Sequence, residues 1–159
     1  MVDSRQFEVL VTPFEPLSLR GGKGRRYQQK EALRDRIKAI VGEAELQRSR
    51  EEFGNQLVKV SLVFYLYKAS KNVTNTRWKK DVDNLTKPVL DVLQLHLDSQ
   101  QTRPGLGLIR NDDYVCVLHA AKKLAAREKD EGIHILVTRV RDDEMLRMLE
   151  GRGTVTEVG

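Results

Sequence analysis

The stretch from Leu57 to Lys68 constrains this chain most. Val58, Val60, Leu62, Phe64 and Leu66 alternate there with Lys59, Ser61, Val63, Tyr65 and Tyr67. In extended backbone successive side chains point to opposite faces, so those first five apolar residues share one face. β-Branched and aromatic residues dominate the segment, which predicts a strand with one apolar face. Such a strand needs partners along its edges and a covering layer over its apolar face.

Both needs are met by the flanking sequence. Phe7, Val9 and Val11 alternate with polar or small neighbours, predicting a short strand that stops before Pro13. Segments 114–122 and 133–140 read as two further strands, joined as an antiparallel hairpin by a charged connection that contains Gly132. Leu33, Ile37, Ile40, Val41 and Ala44 follow helical spacing, so a helix is expected over about residues 27–44. Leu85, Val89, Val92, Leu93 and His96 do the same and predict a helix of about three turns. Pro88 has no amide hydrogen to donate, which favours a start near Asn84 or Leu85 with Pro88 in the first turn. Residues 20–26, with Gly21, Gly22 and Gly24, read as a loop, as do residues 99–108, with Pro104, Gly105 and Gly107. Residues 142–149 read as a closing helix. The order β-α-β-α-β-β predicts an α/β or α+β fold with a mixed sheet of about four strands. No repeat or linker divides the 159 residues, so one domain over 1–159 is expected, with its core at about 7–140.

Charge narrows the partner. The net charge is +5, and charged residues make up 32% of the chain. Eight basic residues (Arg20, Lys23, Arg25, Arg26, Lys30, Arg34, Arg36, Lys38) stand between positions 20 and 38, against Glu31 and Asp35. On a helix, Arg26, Lys30, Arg34 and Lys38 would form a row at intervals of four, a basic edge open to solvent. Five more (Lys68, Lys71, Arg77, Lys79, Lys80) occupy 68–80 with no acid among them. Solvated surface accounts for such runs as readily as phosphate contact does, but the sum points towards an acidic partner such as nucleic acid. No apolar run reaches membrane-spanning length, and no secretory leader is visible at Met1-Val-Asp-Ser-Arg. Cys116 is the single cysteine, so an intramolecular disulfide is excluded and a cytoplasmic location is expected. Its neighbours Val115 and Val117 suggest a buried, inert thiol. His96, His119 and His134 share no metal-binding spacing.

The groups with chemical potential gather in Lys79-Lys-Asp-Val-Asp-Asn-Leu-Thr-Lys-Pro-Val-Leu-Asp91. In extended chain Asp81 and Asp83 would present both carboxylates to one side. Two hard oxygen donors suit Mg²⁺, which binds few protein carboxylates and keeps several waters. Once the helix begins, Lys87 lies four residues from both Asp83 and Asp91, so the three line one polar edge. A second acidic pair, Asp112-Asp113, stands before the next strand. Each feature has a plain structural alternative: Asp83 or Asn84 could cap the helix, Lys87 could form only ion pairs, and Asp112-Asp113 could make a turn. Trp78 could pack on the core or stack on an unpaired base.

Taken together, Asp81-Val-Asp83-Asn84-Leu-Thr-Lys87-Pro-Val-Leu-Asp91-Val-Leu93, followed by Asn111-Asp112-Asp113-Tyr-Val-Cys, resembles the RusA family of Holliday junction resolvases. The resemblance covers about residues 7–140 and includes the element order. It implies a dimeric, Mg²⁺-dependent endonuclease that nicks four-way DNA junctions symmetrically in recombination and repair. By position it implies metal-binding carboxylates at Asp81, Asp83 and Asp113, a catalytic lysine at Lys87, and supporting acids at Asp91 and Asp112. Arg20, Lys23, Arg25, Arg26, Lys30, Arg34, Lys79 and Lys80 are then the expected DNA contacts. The segment between Leu97 and Asn111 is longer than is usual in the family, and Pro88 directly follows the lysine. Two other functions stay open: branched-DNA binding without catalysis, and an Mg²⁺-nucleotide-sugar transferase. One geometric tension also stands. A helix antiparallel to the strand at 57–68 would bring its end, not its start, to the entrance of the next strand. Asp113 would then meet Asp83 only if residues 98–111 reached back, or if a second subunit completed the site.

Overall fold

The computed structural model of the chain describes residues 6–17, 23–67 and 81–140. Strand β1 (Gln6–Val11) leads to helices α1 (Lys23–Val41) and α2 (Glu43–Phe53), then to strand β2 (Val58–Tyr67). Helix α3 (Val82–Leu93), a 3₁₀ turn (Asp112–Tyr114), strand β3 (Val115–Ala125), a second 3₁₀ turn (Glu128–Asp130) and strand β4 (Gly132–Arg139) complete the order. The four strands form one mixed sheet in the order β1-β4-β2-β3, so the fold is α+β. The strand expectations hold to within a few residues. The expected helix at 142–149 lies outside the described residues, as do Trp78, Arg20, Lys79 and Lys80.

The sheet is wired differently from a closing hairpin. β3 and β4 are not neighbours, because β2 lies between them, antiparallel to β4 and parallel to β3. A parallel pair needs a crossover, and α3 with the segment after it provides that connection. β2, like β4, therefore has partners on both sides, and the apolar face of its alternation is covered: Val58, Val60, Leu62, Phe64 and Leu66 are all buried. β1 and β3 form the sheet's edges.

The helical layer also departs from expectation. Helix formation begins at Lys23, so residues 23–26 belong to α1 and not to a loop. Gly42 has φ 88°, which a residue with a side chain rarely adopts, and there the chain breaks between α1 and α2. The sequence pattern missed α2 because only Leu46, Ser49 and Phe53 of its eleven residues are buried, giving a thin apolar stripe among charges. Leu33 and Ile37 of α1 join that stripe and Leu85, Val89, Val92 and Leu93 of α3 over the buried face of the sheet. The segment after α3 adds Leu97, Leu106, Leu108 and Ile109 to the same core.

Cys116 lies on edge strand β3. Expected to be buried, it is exposed, and the β2–β3 register passes over it at a shift between Val58 and Lys59; its Sγ lies 3.6 Å from the Val58 carbonyl. Among the described residues no helix is long and apolar enough to cross a membrane.

Candidate active site

α3 carries most of the polar groups singled out in the sequence. It starts at Val82 with Asp81 as its N-cap residue, two to three positions earlier than Pro88 suggested. Asp81 is extended (φ −70°, ψ 142°), and its backbone carbonyl accepts from the Leu85 amide at 3.0 Å, while its side chain makes no capping bond. Both Asp81 and Asp83 are exposed, so neither carboxylate is consumed in the fold's interior. Pro88 falls in the second turn and is buried. It cannot donate to the Asn84 carbonyl one turn back, but its ring adds to the strongly apolar face of the helix. Thr86, also buried, returns its hydroxyl to the Val82 carbonyl at 2.8 Å.

Lys87 is exposed one turn after Asp83 and one turn before Asp91. Asp91 is not free. Its Oδ2 lies 2.7 Å from Nζ of Lys30, which α1 brings across from the neighbouring helix and which is only 8% exposed. The expected basic edge of α1 is thus partly turned inward: Lys30 is spent on Asp91, and Arg34 donates to the Pro104 carbonyl at 2.9 Å and to Asp35 at 3.0 Å. The side chains of Lys23 and Arg25 are outside the described set.

The other acidic pair arrives at the far end of α3. Asn111 caps the 3₁₀ turn by accepting from the Asp113 amide at 2.9 Å. Gln94, the residue that ends α3, donates from Nε2 to Asp112 Oδ1. Partial burial raises the Asp112 pKa above its ordinary value; the negative charges of Asp91 and Asp113 push it the same way, and Lys87 opposes them. Asp91, Asp112, Asp113 and Lys87 therefore share one electrostatic neighbourhood. Asp83 sits at the opposite end: eleven residues of helix, roughly 16 Å along the axis, separate it from Gln94.

The long segment after α3 does not reach back to close that gap. The amides of Gly105, Leu106, Gly107, Leu108 and Ile109 donate to carbonyls of residues 92–95, folding the segment against the helix end. Side chains of the other helices hold it there. Arg50 Nε donates to the Leu106 carbonyl at 2.7 Å, and Arg103 stacks 4.5 Å from the Tyr27 ring while its Nη1 pairs with Glu31. Asp98 braces the inside of the segment, accepting from the Thr102 hydroxyl and from the Thr102 and Arg103 amides. Those bonds, the Thr102 hydroxyl foremost, lower its pKa.

Among the described residues no three His, Cys, Asp or Glu side chains converge closely enough to hold one metal ion. What the chain does bring together is Lys87 with Asp91, Asp112 and Asp113. Sequence reading missed Gln94 and Arg103, whose roles depend on the path of the long segment. No protein-family model matches the chain. The curated proteins likewise yield no significant match.

Proposed function

We propose that this chain is a Mg²⁺-dependent, structure-specific DNA endonuclease that nicks four-way junctions, acting as a homodimer, as its resemblance to the RusA family implies. The observation that carries the reading is the placement of the motif on one surface helix. α3 exposes Asp81, Asp83 and Lys87, and its end meets Asp112 and Asp113. The basic surplus supports an anionic substrate.

The donors suit Mg²⁺ chemically, since the ion favours carboxylate oxygens and is satisfied with one or two of them plus water. Asp81 and Asp83 would hold it; Asp113, at the other end of α3, would join them as the third carboxylate that the resemblance implies only from the second subunit of a dimer. A bound ion would supply Lewis acidity at the scissile phosphate.

The protein's own groups have separable tasks. Lys87, exposed between two turns of acid, would place a positive charge against the phosphate as negative charge builds in the transition state. Lys30 neutralises Asp91, which removes one repulsive charge from the path of the DNA. Asp112, whose carboxyl holds its proton more tightly than an ordinary aspartate, and Gln94 would position Asp113 at the entrance of β3. Arg26 on α1, with the basic residues of 20–25 and 79–80, would contact flanking phosphates and set the register of the duplex.

The deciding experiment compares a labelled four-way junction with a plain duplex, each incubated with protein with and without Mg²⁺. Paired nicks in the junction alone, and only with Mg²⁺, are the expected result. Binding without nicking would move the reading to a branched-DNA-binding protein. No binding, with retention of a nucleotide sugar, would move it to a transferase.

A further inference from the structure

A groove runs from the acidic pair to the opposite side of the helical layer. Beside Asp112, a concavity of about 450 Å³ is lined by Gln94, His96, Gln101, Arg110 and Asn111. A second, of about 620 Å³, is lined by Lys38, Arg50, Asn55, Leu106, Gly107 and Arg110. Leu95 and Arg110 line both, so the two are continuous. Apart from Gln94, the proposed function uses none of these residues. None of its cations except Lys38 belongs to the basic runs of the sequence.

We propose that this groove is a phosphodiester-binding track, in which Lys38 and Arg110 contact the backbone of a DNA strand leading away from the scissile phosphate. The inference rests on the endonuclease reading and extends it to the path of the substrate.

Three observations favour a phosphate over another ligand. The first is charge. No acidic side chain lines the larger concavity, whereas Lys38, Arg50 and Arg110 all do. Lys38 and Arg110 are exposed and form no ion pair among the described residues. Glu43 is the acid that Arg50 engages at that end. Its carboxylate is held by Arg50 at 2.7 Å, with Lys38 contributing a weaker pull that also lowers its pKa. In the smaller concavity the acid is Asp98, whose oxygens are taken up by Thr102 and Arg103.

The second is the donor inventory. The amides of residues 105–109 are all engaged by carbonyls of residues 92–95, so this part of the floor offers a ligand no backbone donor. Recognition must come from side chains, and the side chains present are a lysine, two guanidinium groups and the amide of Asn55. Arg50 is fixed by Leu106 and Glu43, which leaves Lys38 and Arg110 to adapt to a backbone. Arg110 is placed for this, with Nη1 at 3.5 Å from Asn55 Oδ1.

The third is shape. Gly107 has φ 69° and no side chain, and a Cβ there would stand 3.4 Å from Leu95 Cδ2 and 3.7 Å from Arg50 Nε. The floor is therefore kept low where a strand would lie. Leu95, 49% exposed, forms a ridge between the concavities that offers an apolar contact to a deoxyribose. Two concavities that share Leu95 and Arg110 suit an extended polyanion better than a single small anion.

The test measures binding of a fluorescent four-way junction by anisotropy, without Mg²⁺, over a range of salt concentrations. Each lost phosphate contact lowers the slope of log affinity against log salt by roughly 0.7–0.9. Lys38→Gln with Arg110→Gln should therefore flatten the slope by about 1.4–1.8 and weaken binding on the order of tenfold near physiological salt. Each single variant should give about half that change, which keeps the test usable if the double variant misfolds. Lys38→Arg with Arg110→Lys should restore the parent slope. Lys123→Gln, on edge strand β3, should leave the slope unchanged. A folded double variant with the parent slope overturns the track, and so does a Lys123→Gln variant that flattens the slope equally. Parent protein that nicks the junction isolates such a failure to the groove. Parent protein that neither binds nor nicks DNA overturns the endonuclease reading and the track with it.

Discussion

Lys30 Nζ and Asp91 Oδ2 meet at 2.7 Å between α1 and α3, an ion pair that ties the basic helix to the helix carrying the acidic motif. Both side chains are largely buried, and the ammonium also stands 5.4 Å from the Tyr27 ring. A charge this far from water is costly once its partner is gone. Lys30→Ala should therefore destabilise the protein by about 2–3 kcal/mol in denaturant unfolding. The double variant Lys30→Met, Asp91→Leu should lose much less, because it leaves no unpaired charge. If the single and double variants lose the same amount, the pair is not what couples the helices.

Lys87 separates a catalytic reading from a structural one. If it only bridges Asp83 and Asp91 on the surface, Lys87→Ala should shift stability by under about 1 kcal/mol and spare turnover. The endonuclease reading expects a loss on the order of 10²-fold in single-turnover nicking, with junction affinity nearly unchanged. Asp81→Asn, Asp83→Asn and Asp113→Asn should each abolish nicking while the protein still binds the junction. A folded Lys87→Ala protein that nicks at the parent rate removes this lysine from the mechanism.

Asp112 should show strain that serves the site and not the fold. Its pKa is raised in the folded state, so its ionised form is less welcome there than in the unfolded chain. Its contribution to stability is favourable at low pH and is lost as pH rises from the unfolded value to the raised folded one. Asp112→Asn should consequently raise the melting temperature slightly at neutral pH and have no stabilising effect below the ordinary aspartate range. Asp98 has the opposite sign. Its pKa is lowered, so its stabilisation is present above the unfolded value and disappears as pH falls through the depressed folded one. Asp98→Asn should weaken the fold at neutral pH and reduce its sensitivity to acid.

How much of this was legible in the sequence depended on how local the signal was. The central strand could be read because its alternation is set by burial on one face, and Val58 to Leu66 are buried in the expected register. The acidic motif could be read because its residues are neighbours on one helix. β3 and β4 were misread as a hairpin because adjacency in sequence says nothing of a third strand inserted between them. α2 was missed for lack of a broad apolar face. Lys30 looked like one more surface cation, since only the packing of α1 on α3 reveals its partner. The direction of the helix raises the separation of Asp83 from Asp113 as a tension at once, with a reach-back of residues 98–111 as one way to close it. The docking of residues 105–109 on the end of α3 was not, because it is made of backbone hydrogen bonds to which side-chain pattern is blind.

Gly105 tests how far that docking supports the site. A Cβ at this position would stand 2.1 Å from the Gln94 carbonyl oxygen and 3.1 Å from that of Val92, both backbone atoms with little freedom to retreat. Gly105→Ala should cost about 1–3 kcal/mol of stability, as overpacking of a close contact does. It should also lower nicking more than it lowers junction affinity, since Gln94 and Asp112 are displaced with the segment. Equal losses in both would mean that the segment serves binding alone.

The order β1-β4-β2-β3 has a further consequence, for the timing of folding during synthesis. Among the described residues β1 pairs only with β4, which follows it by more than a hundred residues, so the N-terminal strand must wait on the ribosome until Arg139 has emerged. β2 and β3 can pair earlier, with α3 laid over them, and give a nascent two-strand core. That core still lacks the strand that later fills the free edge of β2. Until β4 arrives, two apolar strands stand with open backbone edges, so the interval between translation of Ala125 and release of Arg139 is when the chain is most exposed to pairing with a neighbour.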